Sequence, residues 1–190
     1  MRAAFLILSV LISSAAFAQF NKSNRPPKGS NSAAGLPLNE RLYFGGGGGF
    51  NAGTGVNGKY TSISISPLVG YRLTLPWSVG LQVIYQSVNY QQLNAKYSQY
   101  GFAPFTQYRF GQIFAYGEYQ MISAPNINTD QRSWYSRLPL GLGYTFPIGP
   151  RAAVNVMAAY DVLWPSQQRT SPFLTPWVFR IYVTAGGVSF

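Results

Sequence analysis

From Arg41 onward, apolar and polar residues take turns along the chain in eight blocks, near 41–51, 60–72, 77–90, 97–109, 112–122, 134–146, 151–164 and 177–190. In the second block Thr61, Ile63, Ile65, Val69 and Tyr71 alternate with Ser62, Ser64, Ser66 and Gly70. In the third, Val79, Leu81, Val83 and Tyr85 are set against Ser78, Gly80, Gln82 and Gln86. In the last, Phe179, Ile181 and Val183 are set against Arg180 and Thr184. A period of two marks a strand whose faces meet different surroundings. Blocks of roughly 10 residues match strands that cross a bilayer. The pattern predicts an all-β chain: an eight-stranded antiparallel up-and-down transmembrane β-barrel over residues 40–190.

The first 39 residues lack this alternation. Arg2, the apolar run Ala3–Ile12 and the triplet Ala16-Phe17-Ala18 read as a signal peptide over 1–18, cleaved before Gln19. Residues 19–39 are polar, Pro-rich and aperiodic, and read as a disordered periplasmic leader. Its Lys22, Arg25 and Lys28 read as a solvated tail, with docking onto an anionic surface or a periplasmic partner as the other reading.

Composition decides which face meets lipid. A soluble lipocalin-like barrel would also show eight strands, but with its polar face outward. Charged residues make up 9% of the chain, against about 25% in an ordinary soluble domain. That is too few to clothe an exterior in water. Aromatics also gather at both ends of the apolar faces: Tyr71, Trp77, Tyr108, Tyr144 and Phe146 toward one rim, and Tyr85, Tyr100, Tyr119, Tyr160, Trp164 and Trp177 toward the other. Two aromatic girdles are what a lipid-facing band calls for. Connection lengths point the same way. Connections 72–76, 110–111 and 147–150 are short, whereas 52–59, 91–96, 123–133 and 165–176 are longer and polar. Short turns belong on the periplasmic side and long loops outside.

The run Gly45–Gly49 belongs to the first strand, with Leu42, Phe44 and Phe50 toward lipid. Gly45, Gly47 and Gly49 then face the lumen and leave room there for Tyr116 or Arg180. A phosphate loop would need a following Lys-Ser/Thr and a helix, which are missing. Glu118, Arg137 and Arg180 share lumen parity at similar height and are expected to form a polar cluster, the carboxylate lying between two guanidiniums. Filling the lumen is the structural reading; a gate or ion path is the functional one.

Catalysis has little to work with. The chain has no His, no Cys and four acids, Glu40, Glu118, Asp130 and Asp161. A triad or a metal cluster cannot be assembled from these, and an Asp161–Glu118 hydrolytic pair is all that remains. The expectation is a non-enzyme without cofactors. The net charge of +10 is spread thinly along the chain, and an exported protein meets little nucleic acid, so no nucleic-acid partner is expected.

The stretch SPLVGYRLTLPWSVGLQVIY, Ser66–Tyr85, resembles the small outer-membrane β-barrel proteins of Bacteroidetes-type bacteria. The Pro-to-Tyr motif recurs at Pro67–Tyr71, Pro104–Tyr108 and Pro139–Tyr144, and the chain ends in Phe190. The resemblance implies an outer-membrane location, contact with outer-membrane lipid and lipopolysaccharide, and a terminal aromatic, Phe190, read by the barrel-assembly machinery. Phe190 has the wrong parity for the lipid face; a bulge at Gly186-Gly187 would restore it. The three strand prolines lack a ladder N–H and suggest bulges or shorter strands. Two readings of function stay open: a filled structural or interaction barrel displaying loops 123–133 and 165–176 to a partner, or a narrow pore or small-molecule carrier.

Overall fold

The computed structural model describes residues 36, 38–55, 58–90, 95–125, 131–164, 173 and 175–187. The expected signal peptide, most of the expected leader and Phe190 lie outside them. A helical turn, α1 (Leu38–Arg41), leads into ten strand segments: β1 (Leu42–Gly55), β2 (Gly58–Arg72), β3 (Trp77–Tyr90), β4 (Ala95–Phe110), β5 (Ile113–Glu118), β6 (Gln120–Pro125), β7 (Arg132–Arg137), β8 (Pro139–Gly149), β9 (Ala152–Asp161) and β10 (Trp177–Gly186). Segments β5 and β6 run on as one stave, as do β7 and β8, so the wall has eight staves. Each is antiparallel to the next, and β10 pairs with β1 to close the ring. The fold is therefore an eight-stranded antiparallel up-and-down barrel.

The prolines interrupt the ladder without shifting it. Ile65 pairs with Tyr85 and Leu68 with Gln82, so the register is the same on both sides of Pro67. It is likewise unchanged from Phe102↔Met121 to Phe105↔Glu118 across Pro104, and from Gly117↔Leu140 to Gln120↔Arg137 across Pro139. At Tyr119 the backbone N–H still donates to the Pro104 carbonyl at 3.0 Å, but Pro104 has no N–H to return. The expected bulges or shortened strands are thus single missing bonds. A register shift does occur, between Pro147 and Gly149 on β8.

The period-two reading holds on the wall. Ile63, Ile65, Leu81, Val83, Leu140, Leu142, Phe179 and Ile181 stand outside and exposed, while Gln82, Glu118, Asn155 and Asp161 are almost wholly excluded from solvent inside. An apolar exterior over a polar, packed interior is the inverse of a soluble ligand-binding barrel.

Two boundaries differ from expectation. Of the residues expected to form the leader, Leu36 is buried and Leu38 and Asn39 belong to the α1 turn, so the chain is docked before residue 40. The loop-length contrast is also weaker than the sequence suggests. Strands β1 and β2 leave only residues 56–57 between them, and β6 and β7 leave only 126–131. The long connection on that side is 162–176. Hydrogen bonding carries the strands past the point where their alternation fades.

Candidate functional site

The lumen is filled in three tiers. Nearest the short turns, Thr145 Oγ1 donates to Asn155 Oδ1 at 2.8 Å, and Asn155 Nδ2 donates to Thr184 Oγ1 at 3.0 Å, linking β8, β9 and β10. Tyr43 donates to Ser78 Oγ at 3.2 Å beside them, with the Arg72 guanidinium 5.9 Å from its ring. Arg72 and Arg109 line the cleft at this mouth, which has room for about one water molecule. The α1 turn is tied across the same end: Glu40 pairs with Arg151 at 3.5 Å, and Arg41 reaches the Leu36 carbonyl and the Tyr71 hydroxyl.

The middle tier is aromatic and ionic together. Tyr43, Leu68, Phe105, Phe114, Tyr116, Met157 and Tyr182 form one buried cluster, with Phe105 stacked on Tyr116 at 5.6 Å. Against it Arg180 grips Glu118 with both terminal nitrogens, at 2.9 and 3.0 Å. Glu118 also accepts from the Tyr116 hydroxyl and the Gln120 amide, and Gln82 Oε1 accepts from Arg180 at 2.9 Å. Burying two charges stabilises nothing unless their remaining hydrogen-bonding capacity is met; here three further partners, Tyr116, Gln120 and Gln82, contribute to it.

Nearest the long connection, Arg137 pairs with Asp161 at 2.9 Å and donates to the Thr175 carbonyl at 3.0 Å. Asp161 also accepts the backbone N–H groups of Leu138 and Leu163. Phe173, from the long connection, lies 4.4 Å from the Arg137 guanidinium and packs against the buried Ile84, Ala103 and Ile122. Of the loop expected to be displayed outward, 165–176, Phe173 is thus turned toward the upper lumen, and residues 165–172 and 174 lie outside the described residues.

The structure brings Glu118 and Arg180 together as expected but gives Arg137 a different carboxylate. The expected triad is two pairs, because Asp161 faces Pro139, two residues from Arg137. With each carboxylate held by its own guanidinium, neither Glu118 nor Asp161 is placed as a hydrolytic acid or base. The nearest side-chain neighbours of the lumen-facing β1 glycines are Thr184 and Leu68 at Gly45, Tyr182 at Gly47 and Ser64 at Gly49, in place of the expected Tyr116 or Arg180, while Tyr43 lies over Gly70 of β2. A Cβ at Gly47 would lie 2.6 Å from the Ile181 carbonyl and 2.9 Å from Tyr182 Cβ. Phe105 and Phe114 were missed as lumen residues; their parity with Gln107 and Tyr116 was the available signal.

The rim aromatics lie where the alternation puts them. Trp77 pairs with Tyr108, and Tyr144 with Ile113, near the short turns. Tyr85 pairs with Tyr100 toward the other end, and Tyr160 packs edge-on against Trp177 at 5.3 Å. Trp77, Tyr100, Tyr108, Tyr144, Tyr160 and Trp177 are exposed on the outer face, while Tyr71 and Trp164 are half-buried. At the end of β10, Gly186 and Gly187 have φ of 94° and 74°. The expected local irregularity is there, but as the strand's end.

No protein-family model matches the chain, and no curated protein matches it. Among solved structures it is similar to the N-terminal β-barrel domain of Pseudomonas aeruginosa OprF, at 14% identity, covering 77% of this chain and 98% of that one, with a TM-score of 0.44.

Proposed function

We propose that this protein is an integral outer-membrane β-barrel with a sealed lumen, acting through its wall and its loops. One observation carries the reading: apolar side chains occupy the outer face of the staves while two ion pairs and an aromatic cluster fill the inside. In water such an exterior is a severe liability; in acyl chains it is the low-energy arrangement. The export signal over 1–18, the outer-membrane location and recognition of Phe190 by the assembly machinery belong to this reading, as does kinship with the small Bacteroidetes-type barrels suggested by Pro67–Tyr71.

The role is structural or interactive and not enzymatic. Partners would be lipid, lipopolysaccharide and a protein met by the 126–131 and 162–176 connections. The test joins two measurements. Protein extracted from outer membranes should migrate differently on gels before and after boiling. Reconstituted in a planar bilayer, it should be electrically silent. Discrete openings would replace the sealed barrel with the narrow pore, and a monodisperse, detergent-free protein would remove the membrane reading altogether.

A further inference from the structure

Each described carboxylate of this chain is sequestered. Glu40, Glu118 and Asp161 are 3%, 1% and 1% exposed, and each is paired to an arginine. The exposed charge on the described wall is therefore cationic. At the long-connection end the exposed cations include Lys59, Lys96 and Arg132.

Arg132 is the one held in a fixed pose. Its side chain lies across β6 on the outer face. Nε donates to Ser123 Oγ at 3.1 Å, and Nη2 donates to the carbonyls of Ser123 and Ser98 at 2.8 and 3.0 Å. The guanidinium rests 4.3 Å from the centre of the Tyr100 ring. Below it Trp134, 63% exposed, meets Phe102 edge-on at 6.4 Å. Lys96 shares the outer face of β4 with Ser98, two residues and about 7 Å along the strand. A fixed guanidinium with an aromatic shelf on its apolar side, and a second cation beyond it, suits a ligand with an anionic head and a greasy body.

We propose that Arg132, Lys96, Tyr100 and Trp134 form a binding site for an anionic lipid of the leaflet at the long-connection end. Arg132 and Lys96 would hold the headgroup phosphate, and the two rings would hold the first part of the acyl region. This rests on the membrane reading above. The ordering of Arg132 by three hydrogen bonds lowers the entropy lost on capture, which a mobile surface arginine would not offer.

The test is native mass spectrometry of the full chain released from mixed micelles of phosphatidylglycerol and phosphatidylcholine. Wild-type protein should retain phosphatidylglycerol preferentially. Lys96→Gln and Arg132→Gln should each reduce that preference about fivefold, the effect of one cation near an anionic surface. Lys96→Gln removes none of the bonds that order Arg132, so it keeps the test valid if Arg132→Gln disturbs the rim. Inorganic phosphate in excess should not displace the lipid; full displacement would mark a free-anion site and overturn the proposal. Unchanged preference in the double variant, in protein that is still heat-modifiable, would overturn it while leaving the membrane barrel standing. Loss of heat-modifiable migration already in the wild type would instead strike the membrane reading, and this site with it.

Discussion

Glu118 on β5 and Arg180 on β10 meet inside the barrel although their staves are not neighbours, with paired contacts of 2.9 and 3.0 Å. The pair ties the wall across its interior, where backbone bonding cannot reach. Removing one member leaves the other charged, buried and alone. Glu118→Gln should lower stability by about 3–5 kcal/mol, read as a reduced urea midpoint of the refolded protein in detergent. Replacing both together, as Glu118→Leu with Arg180→Met, should recover most of that loss, because no lone charge remains.

The Arg137–Asp161 pair holds the long connection in place. Asp161→Asn weakens the grip on Arg137 and with it the seat of Phe173. Protease cleavage within residues 162–176 should become markedly faster, while the heat-modifiable migration of the barrel is kept. Equal cleavage rates in the two proteins would show that the connection is held by something else.

Gly143 faces the lumen where the Phe114 ring lies, and a Cβ there would run into that ring. Gly143→Ala should destabilise by about 1–3 kcal/mol, as overpacking does. Phe114→Leu in the same chain should restore part of it, a coupling that an urea-melt double-mutant cycle would measure.

Val83 lies midway along β3 on the outer face and is 53% exposed. Val83→Arg should cost about 2–4 kcal/mol in a lipid bilayer. In water the same change on an exposed residue is nearly neutral. Folding titrations in liposomes therefore read out directly which face meets acyl chains.

The staves were legible because a pleat throws neighbouring side chains to opposite faces, so one line of sequence carries both the face and the element. Val83 and Gln82 needed no further information. Height and partner were harder to read. Arg137 could reach for Glu118 or for Asp161, and parity treats both alike. The choice turns on height: Asp161 faces Pro139, two residues from Arg137, whereas Glu118 is paired to Arg180, from a stave distant in sequence. Phe114 and Phe105 were hidden for a related reason. In so aromatic a chain a ring carries no mark of its face, and only its parity with Tyr116 or Gln107 gives it away. Pro104 and Pro139 misled because proline in a ladder usually signals a bulge, whereas here each forfeits one bond and the register runs through.

The bond between Glu118 and Arg180 also imposes an order of events. Its cation arrives on the last stave, which must pair with the first before the ring exists. Until that seam zips shut, the carboxylate on the fifth stave has no counterion and holds its water. On the membrane reading proposed above, an open sheet entering the bilayer would drag a bare anion with it, so insertion and closure would be coupled, and the finished tube would be corked by the same step that completes it.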